Sequence, residues 1–226
     1  MVSKLPRWVE YGSFILAFVA GLINSIGLLG FKHQSISHLS GTATLLGTGL
    51  VNSSLFESYY LFIILISFLL GAVIPGYYLR SGALKLGRNY SFLLVLEALF
   101  LCASVYFLTQ DSVWGHYFAS AACGLQNALA TNYSGAVIRT THVTGIFTDL
   151  GLMIGAKLRG AEFDKRKATL LLLIIFGFII GGTFGTYLFN SLRFYSLFVP
   201  AAICLFLALV YSVYTSKVNR TKNKST

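Results

Sequence analysis

The sequence predicts an all-α polytopic membrane protein: six transmembrane helices forming two inverted three-helix repeats, each with a short re-entrant or broken helix. Three observations carry this expectation. The 226-residue chain is 11% charged and 56% apolar, with a mean hydropathy of +0.74. A soluble domain carries about a quarter charged residues. Six apolar runs reach the roughly 17 to 25 residues that a bilayer crossing needs. The chain also repeats itself. Gly21-Leu22-Ile23-Asn24-Ser25 returns as Gly124-Leu125-Gln126-Asn127-Ala128, and His38-Leu39-Ser40-Gly41-Thr42-Ala43-Thr44 returns as His142-Val143-Thr144-Gly145-Ile146-Phe147-Thr148. A third echo pairs Phe68-Leu69-Leu70-Gly71 with Phe178-Ile179-Ile180-Gly181. Duplicated apolar halves carrying polar breaks mark transporter and channel folds.

Taken in order, the crossing runs fall at 12–30, 59–79, 90–109, 115–136, 169–189 and 195–214. Two further runs, 39–51 and 143–156, are too short to cross comfortably, and they carry the repeated His-x-[Ser/Thr]-Gly-x-x-Thr motif. The chain therefore reads as a single membrane domain over 1–226, with repeat 1 at 12–109 and repeat 2 at 115–214. Residues 216–226 are polar and basic, and are expected to be a disordered cytoplasmic tail. Lys4 and Arg7 before the first run imitate a signal peptide, but that run belongs to the repeat, so it is read as retained. Cys102, Cys123 and Cys204 all lie inside apolar runs and read as small buried hydrophobes, not a disulfide framework.

Positive charge sets the topology. With six crossings and a cytoplasmic N-terminus, 15 of the 17 basic residues face inward, and only Lys32 and Arg193 lie outside. Eight crossings give 11 against 6 and turn the Arg80/Lys85/Arg88 loop outward. The net charge of +10 is therefore assigned to loops facing anionic lipid, with no nucleic-acid partner. Three crossings per half invert the second half. Each short helix then starts near the midplane, with Ser40 or Thr144 as its expected N-cap.

Such helix starts present free N–H groups and a positive dipole end, which suit an anion, a carbonyl or water. The residues expected to bind solute are Asn24, His38, Ser40, Gly41, Thr42, Gln126, Asn127, His142, Thr144, Gly145 and Thr148. Gly41 and Gly145 allow close backbone approach, either to a solute or to another helix. His38 and His142 fit gating or proton relay, or alternatively helix capping or a wet loop. Asp149 is the expected coupling residue, with Arg139 as its counter-ion or as an anion contact. The alternative is that Asp149 is solvated near the cytoplasmic end. Glu97 sits within a run with no evident partner, facing a cavity or another subunit. Gly177, Gly181 and Gly185 form a ridge for close helix contact, inside the fold or in a homo-oligomer. No metal, cofactor, nucleophile–base pair or phosphate loop is expected.

Gly124-Leu125-Gln126-Asn127-Ala128 and Arg139-Thr140-Thr141-His142-Val143-Thr144-Gly145 resemble the YoaK family (DUF1275) of bacterial membrane proteins over nearly the whole chain. The first half departs from that pattern. Asn24 stands where the family often has Asp, and Ser40-Gly41-Thr42 where it has Thr-Gly-Asn. The resemblance implies six crossings and a bacterial inner membrane, and it brings no settled activity. The functional expectation is a transporter or channel for a small polar or anionic solute, with the path between the inverted repeats and both termini cytoplasmic. The alternatives are a structural or assembly subunit and, behind it, a membrane-embedded enzyme.

Overall fold

The computed structural model describes residues 8–30, 36–79, 89–134 and 139–222. Lys4, Arg7, Lys32, Arg80, Lys85, Arg88 and Lys224, which carry part of the charge argument, lie outside the described residues. The described residues form eight α-helices and no strand. They are α1 (Trp8–Gly30), α2 (Leu39–Asn52), α3 (Leu55–Tyr78), α4 (Asn89–Leu108), α5 (Trp114–Ser134), α6 (Val143–Leu158), α7 (Lys165–Leu192) and α8 (Phe198–Lys222). A 3-10 helix, Arg193–Leu197, joins the last two. All six long runs and both short ones are helices. One expectation is corrected: the tail is not wholly disordered, because α8 continues to Lys222. Lys and Arg are good helix formers, and cations near a helix C-terminus oppose its dipole.

Four stretches are long and apolar enough to cross a membrane: Val9–Gly30, Leu55–Tyr78, Asn89–Leu108 and Lys165–Ser216, the last covering α7 and most of α8. The outer surface agrees with an apolar solvent. Leu69, Leu70, Phe92, Leu99, Phe176, Ile179, Phe206 and Leu209 all stand exposed. α5 has the length to cross but not the hydropathy. It lies between α3 and α4, and its polar residues point inward, with Ser120 and Gln126 fully buried.

Glycine sets the closest helix contacts. A Cβ on Gly21 of α1 would overlap the Phe178 carbonyl of α7, and one on Gly181 would overlap the Phe18 carbonyl. On the other side, Gly124 of α5 meets the Phe68 carbonyl of α3, and Gly71 meets that of Ala121. These are repeat mates making the same contacts. The Gly177/Gly181/Gly185 ridge packs on Phe14, Phe18 and Leu22 of α1. The ridge is therefore engaged within the chain, the first of the two alternatives that the sequence leaves open. In both pairs, successive contacts advance together along the two helices: residues 14, 18 and 22 meet 177, 181 and 185. In the other pair, Ser120 Oγ donates to the Ile64 carbonyl at 2.9 Å, one turn before Gly124 meets Phe68. The paired helices thus run parallel.

Two apolar clusters mark the ends of the bundle. The first gathers Val9 of α1, Leu93 of α4 and Leu170 of α7 with Leu79 at the end of α3, Leu129 of α5 and Ala208 of α8. The second gathers Ile26, Leu108 and Phe189 with Ala119 and Ala201. So α1, α4 and α7 run from the first cluster to the second, and α3, α5 and α8 run back. Between α1 and α3 the chain turns inward. The Ser37 N–H and hydroxyl donate to Asn24 Oδ1 at 3.3 and 2.8 Å, and Asn24 lies about 9 Å before the end of α1. α2 then ends against the start of α3, where Gly49 meets Ser58.

The helix starts differ in kind. Ser54 caps α3 by accepting from the Glu57 N–H at 3.3 Å, and Asp164 caps α7 by accepting from the Lys167 N–H at 2.9 Å. The N-caps of α2 and α6 are His38 and His142, with no side-chain capping bond. This corrects the expectation for Ser40 and Thr144: each helix begins before its hydroxyl residue, which lies within the first turn.

Candidate solute cleft

A cleft of about 370 Å³ opens where α6 begins. Its small wall is Ala72 and Gly76 of α3, and α5 contributes Asn127, Ala128, Thr131 and Asn132. Arg139 and His142, just before α6, complete it. The sequence dictates each contribution. Gly76 brings no side chain and Ala72 only a methyl, which leaves room. α5 carries Asn127 near its end, with Thr131 and Asn132 four and five residues further on, so polar groups fall on the side of the helix that borders the cleft. The absence of a capping side chain leaves N–H groups of the first turn of α6 without an intrahelical partner.

The chemistry is that of a mainly hydrogen-bond-donating site. Arg139 is the charged residue of the lining; it is exposed and has no ion pair among the described residues. No carboxylate lines the cleft among the described residues. Asn127 Oδ1 is buried without a hydrogen-bond partner. Cation, helix start and amide together suit a solute offering negative or carbonyl oxygens and a donor group.

In the equivalent corner of the first half the polar groups of Asn24 and Thr42 are engaged within the chain. Asn24, the repeat mate of Asn127, accepts from Ser37, and the His38 ring lies over Gly41. Thr42 is buried, and its hydroxyl donates to the His38 carbonyl at 3.3 Å. Duplicated residues have thus diverged: one half bonds its amide oxygen internally and the other leaves it without a partner.

The structure brings Asn127, Arg139 and His142 together around one cleft. It does not bring in the rest. Gln126 turns into the core. Ser40, Thr144, Gly145 and Thr148 stand exposed on the short helices, and the Thr148 hydroxyl donates back to the Thr144 carbonyl at 3.0 Å. Asp149 is half exposed and pairs with Lys167 of α7 at 3.6 Å; Arg139 is not its counter-ion. Sequence reasoning misses Ala72, Gly76, Thr131 and Asn132. The one signal, for Thr131 and Asn132 alone, is the low apolarity of the end of α5.

The fold and the cleft define an all-helical membrane protein with a polar cleft between its helices. The family described as "Protein of unknown function (DUF1275)" matches residues 12–210, and the chain belongs to it. No curated protein and no solved structure matches the chain.

Proposed function

We propose that this protein is an inner-membrane transporter or channel for a small polar or anionic solute, with the cleft between α3, α5 and the residues leading into α6 as its binding site. The observation that carries this reading is Arg139, unpaired among the described residues, beside the uncapped start of α6 and the unpartnered Asn127 Oδ1 in an apolar bundle. Polar groups left open in a membrane are costly and are retained for function.

The topology of this reading is six crossings, α1, α3, α4, α5, α7 and α8, with α2 and α6 as re-entrant half-helices. The opposed directions of α1 and α3 support it, because a crossing α2 would make them parallel. The Ser37–Asn24 contact supports it too, since Ser37, two residues before α2, sits well inside the end of α1. Each half then holds three crossings, so the second half is inverted relative to the first, with both termini cytoplasmic. Matching glycine contacts across α1/α7 and α3/α5 support the two-fold relation.

The test is thermal unfolding of the purified protein against small anions, carboxylates, sugars, amino acids, nucleobases and polyols. A solute that binds only the folded state raises the melting temperature as its concentration rises. A stabilising solute whose effect is lost in Arg139→Gln and Asn127→Leu supports the reading. A stabilising solute that ignores both substitutions places the site elsewhere and overturns it.

A further inference from the structure

The cleft does not use the most deeply buried acid of the chain. Glu97 of α4 is 0% exposed, and among the described residues only the Cys204 thiol, a weak donor lying outside good hydrogen-bond geometry, is drawn to its carboxyl oxygens. α4 packs on α5 and α8. The ionisable groups that reach Glu97 from those helices are the thiols of Cys123 and Cys204. One turn beyond Cys123, Gln126 is also 0% exposed, with both amide atoms unpartnered. Among the described residues no cation pairs with Glu97, and no group of metal-ligating residues able to hold an ion occurs.

A bare carboxylate in such a place is strongly disfavoured. A hard cation would need about six oxygen ligands, and a single carboxyl falls far short. The smallest species that satisfies the site is a proton. α5 links this acid to the cleft, because Gln126 faces the core while the next residue, Asn127, lines the cleft. Tyr90 makes a second link. Its hydroxyl donates to Asn132 Oδ1 on the cleft wall at 3.4 Å, and it lies two turns before Glu97 on the buried face of α4, about 10 Å away.

We infer that Glu97 is a proton-binding site in the core of the bundle, exchanging its proton through the Tyr90–Asn132 side of the cleft. Proton binding is the whole step: the carboxyl gains or loses one proton, with no change of redox state. The site would supply ion coupling to solute movement, and that role alone rests on the solute pathway proposed above.

Infrared spectroscopy of the purified full-length protein in lipid nanodiscs tests the site without any solute. At neutral pH the wild type should show the carbonyl stretch of a protonated carboxylic acid, absent from Glu97→Gln and kept by Asp149→Asn. Transfer into D2O should shift the band within minutes, and Tyr90→Phe should slow that shift several-fold. If Glu97→Gln fails to fold, Glu97→Asp must keep an acid band at a moved frequency. A wild type without the band, or one that Glu97→Gln leaves unchanged, overturns the proposal. So does a band that stays unshifted for hours, since that describes a sealed structural acid. A solute screen without a hit would count against the pathway and leave the infrared result standing.

Discussion

Gly124 of α5 lies directly against the main-chain carbonyl of Phe68 in α3, and its repeat mate Gly21 lies in the same way against Phe178, the repeat mate of Phe68. The duplication visible in the sequence is therefore a duplication of helix crossings. The first helix of each half packs on the third helix of the other, so the two halves interlock instead of sitting side by side.

Gly124→Val and Gly181→Val should each destabilise the protein by about 1–3 kcal/mol or more, because overpacking a tight contact forces backbone to move. Gly151→Ala and Gly155→Ala should not, since a Cβ at either meets nothing within 4 Å and alanine raises helix propensity by up to about 1 kcal/mol. Thermal melts of the four variants check this. Equal losses at all four positions would contradict the crossings.

Reporter fusions placed within 52–58 and within 110–114 should both report the outer side of the membrane. Those segments join α2 to α3 and α4 to α5. Six crossings put them outside and eight would put them inside, so one cytoplasmic readout at either position contradicts the re-entrant reading of α2.

Asp149→Asn should melt within about 1 kcal/mol of the wild type, the usual ceiling for a solvent-accessible ion pair. Its partner Lys167 is 3.6 Å away and both side chains are part exposed. Solute-dependent stabilisation should survive the substitution. Its loss would return Asp149 to the coupling role that its place within an apolar run suggests.

Arg139→Gln should leave the unliganded melting temperature unchanged, because Arg139 is exposed and makes no ion pair among the described residues. It should weaken anion binding by roughly ten- to a hundred-fold, the worth of about 1.5–3 kcal/mol for a hydrogen bond to a charged group. Titration calorimetry with the solute found by thermal screening measures this.

How legible the fold is in the sequence depends on the range of the interaction. Helix positions are legible because burial in lipid demands long apolar runs, and 39–51 and 143–156 stand out because they are too short. Caps mislead because hydroxyl residues are the usual N-caps, whereas His38 and His142 take that place here without a capping bond. The glycine ridge at 177, 181 and 185 is legible as a contact surface, but its partner is not. Only the tertiary structure brings α1 to it. Asp149 draws attention through its sequence neighbourhood, and Lys167, on the next helix, accounts for it. Cys123 and Cys204 meet Glu97 from two other helices, and no local pattern announces that meeting. The cleft is half legible: repeated motifs point to Asn127 and His142, while Ala72 and Gly76 come from a helix with no polar signal at that point.

The most direct test of a path through the cleft is uptake by proteoliposomes carrying Thr131→Cys, with Cys102, Cys123 and Cys204 replaced by Ala. The solute is the one identified by thermal stabilisation. The account predicts that uptake proceeds before labelling and that a bulky thiol reagent abolishes it. It also predicts that prior saturation with solute protects the introduced thiol from the reagent. Full uptake after complete labelling of that position would contradict the account.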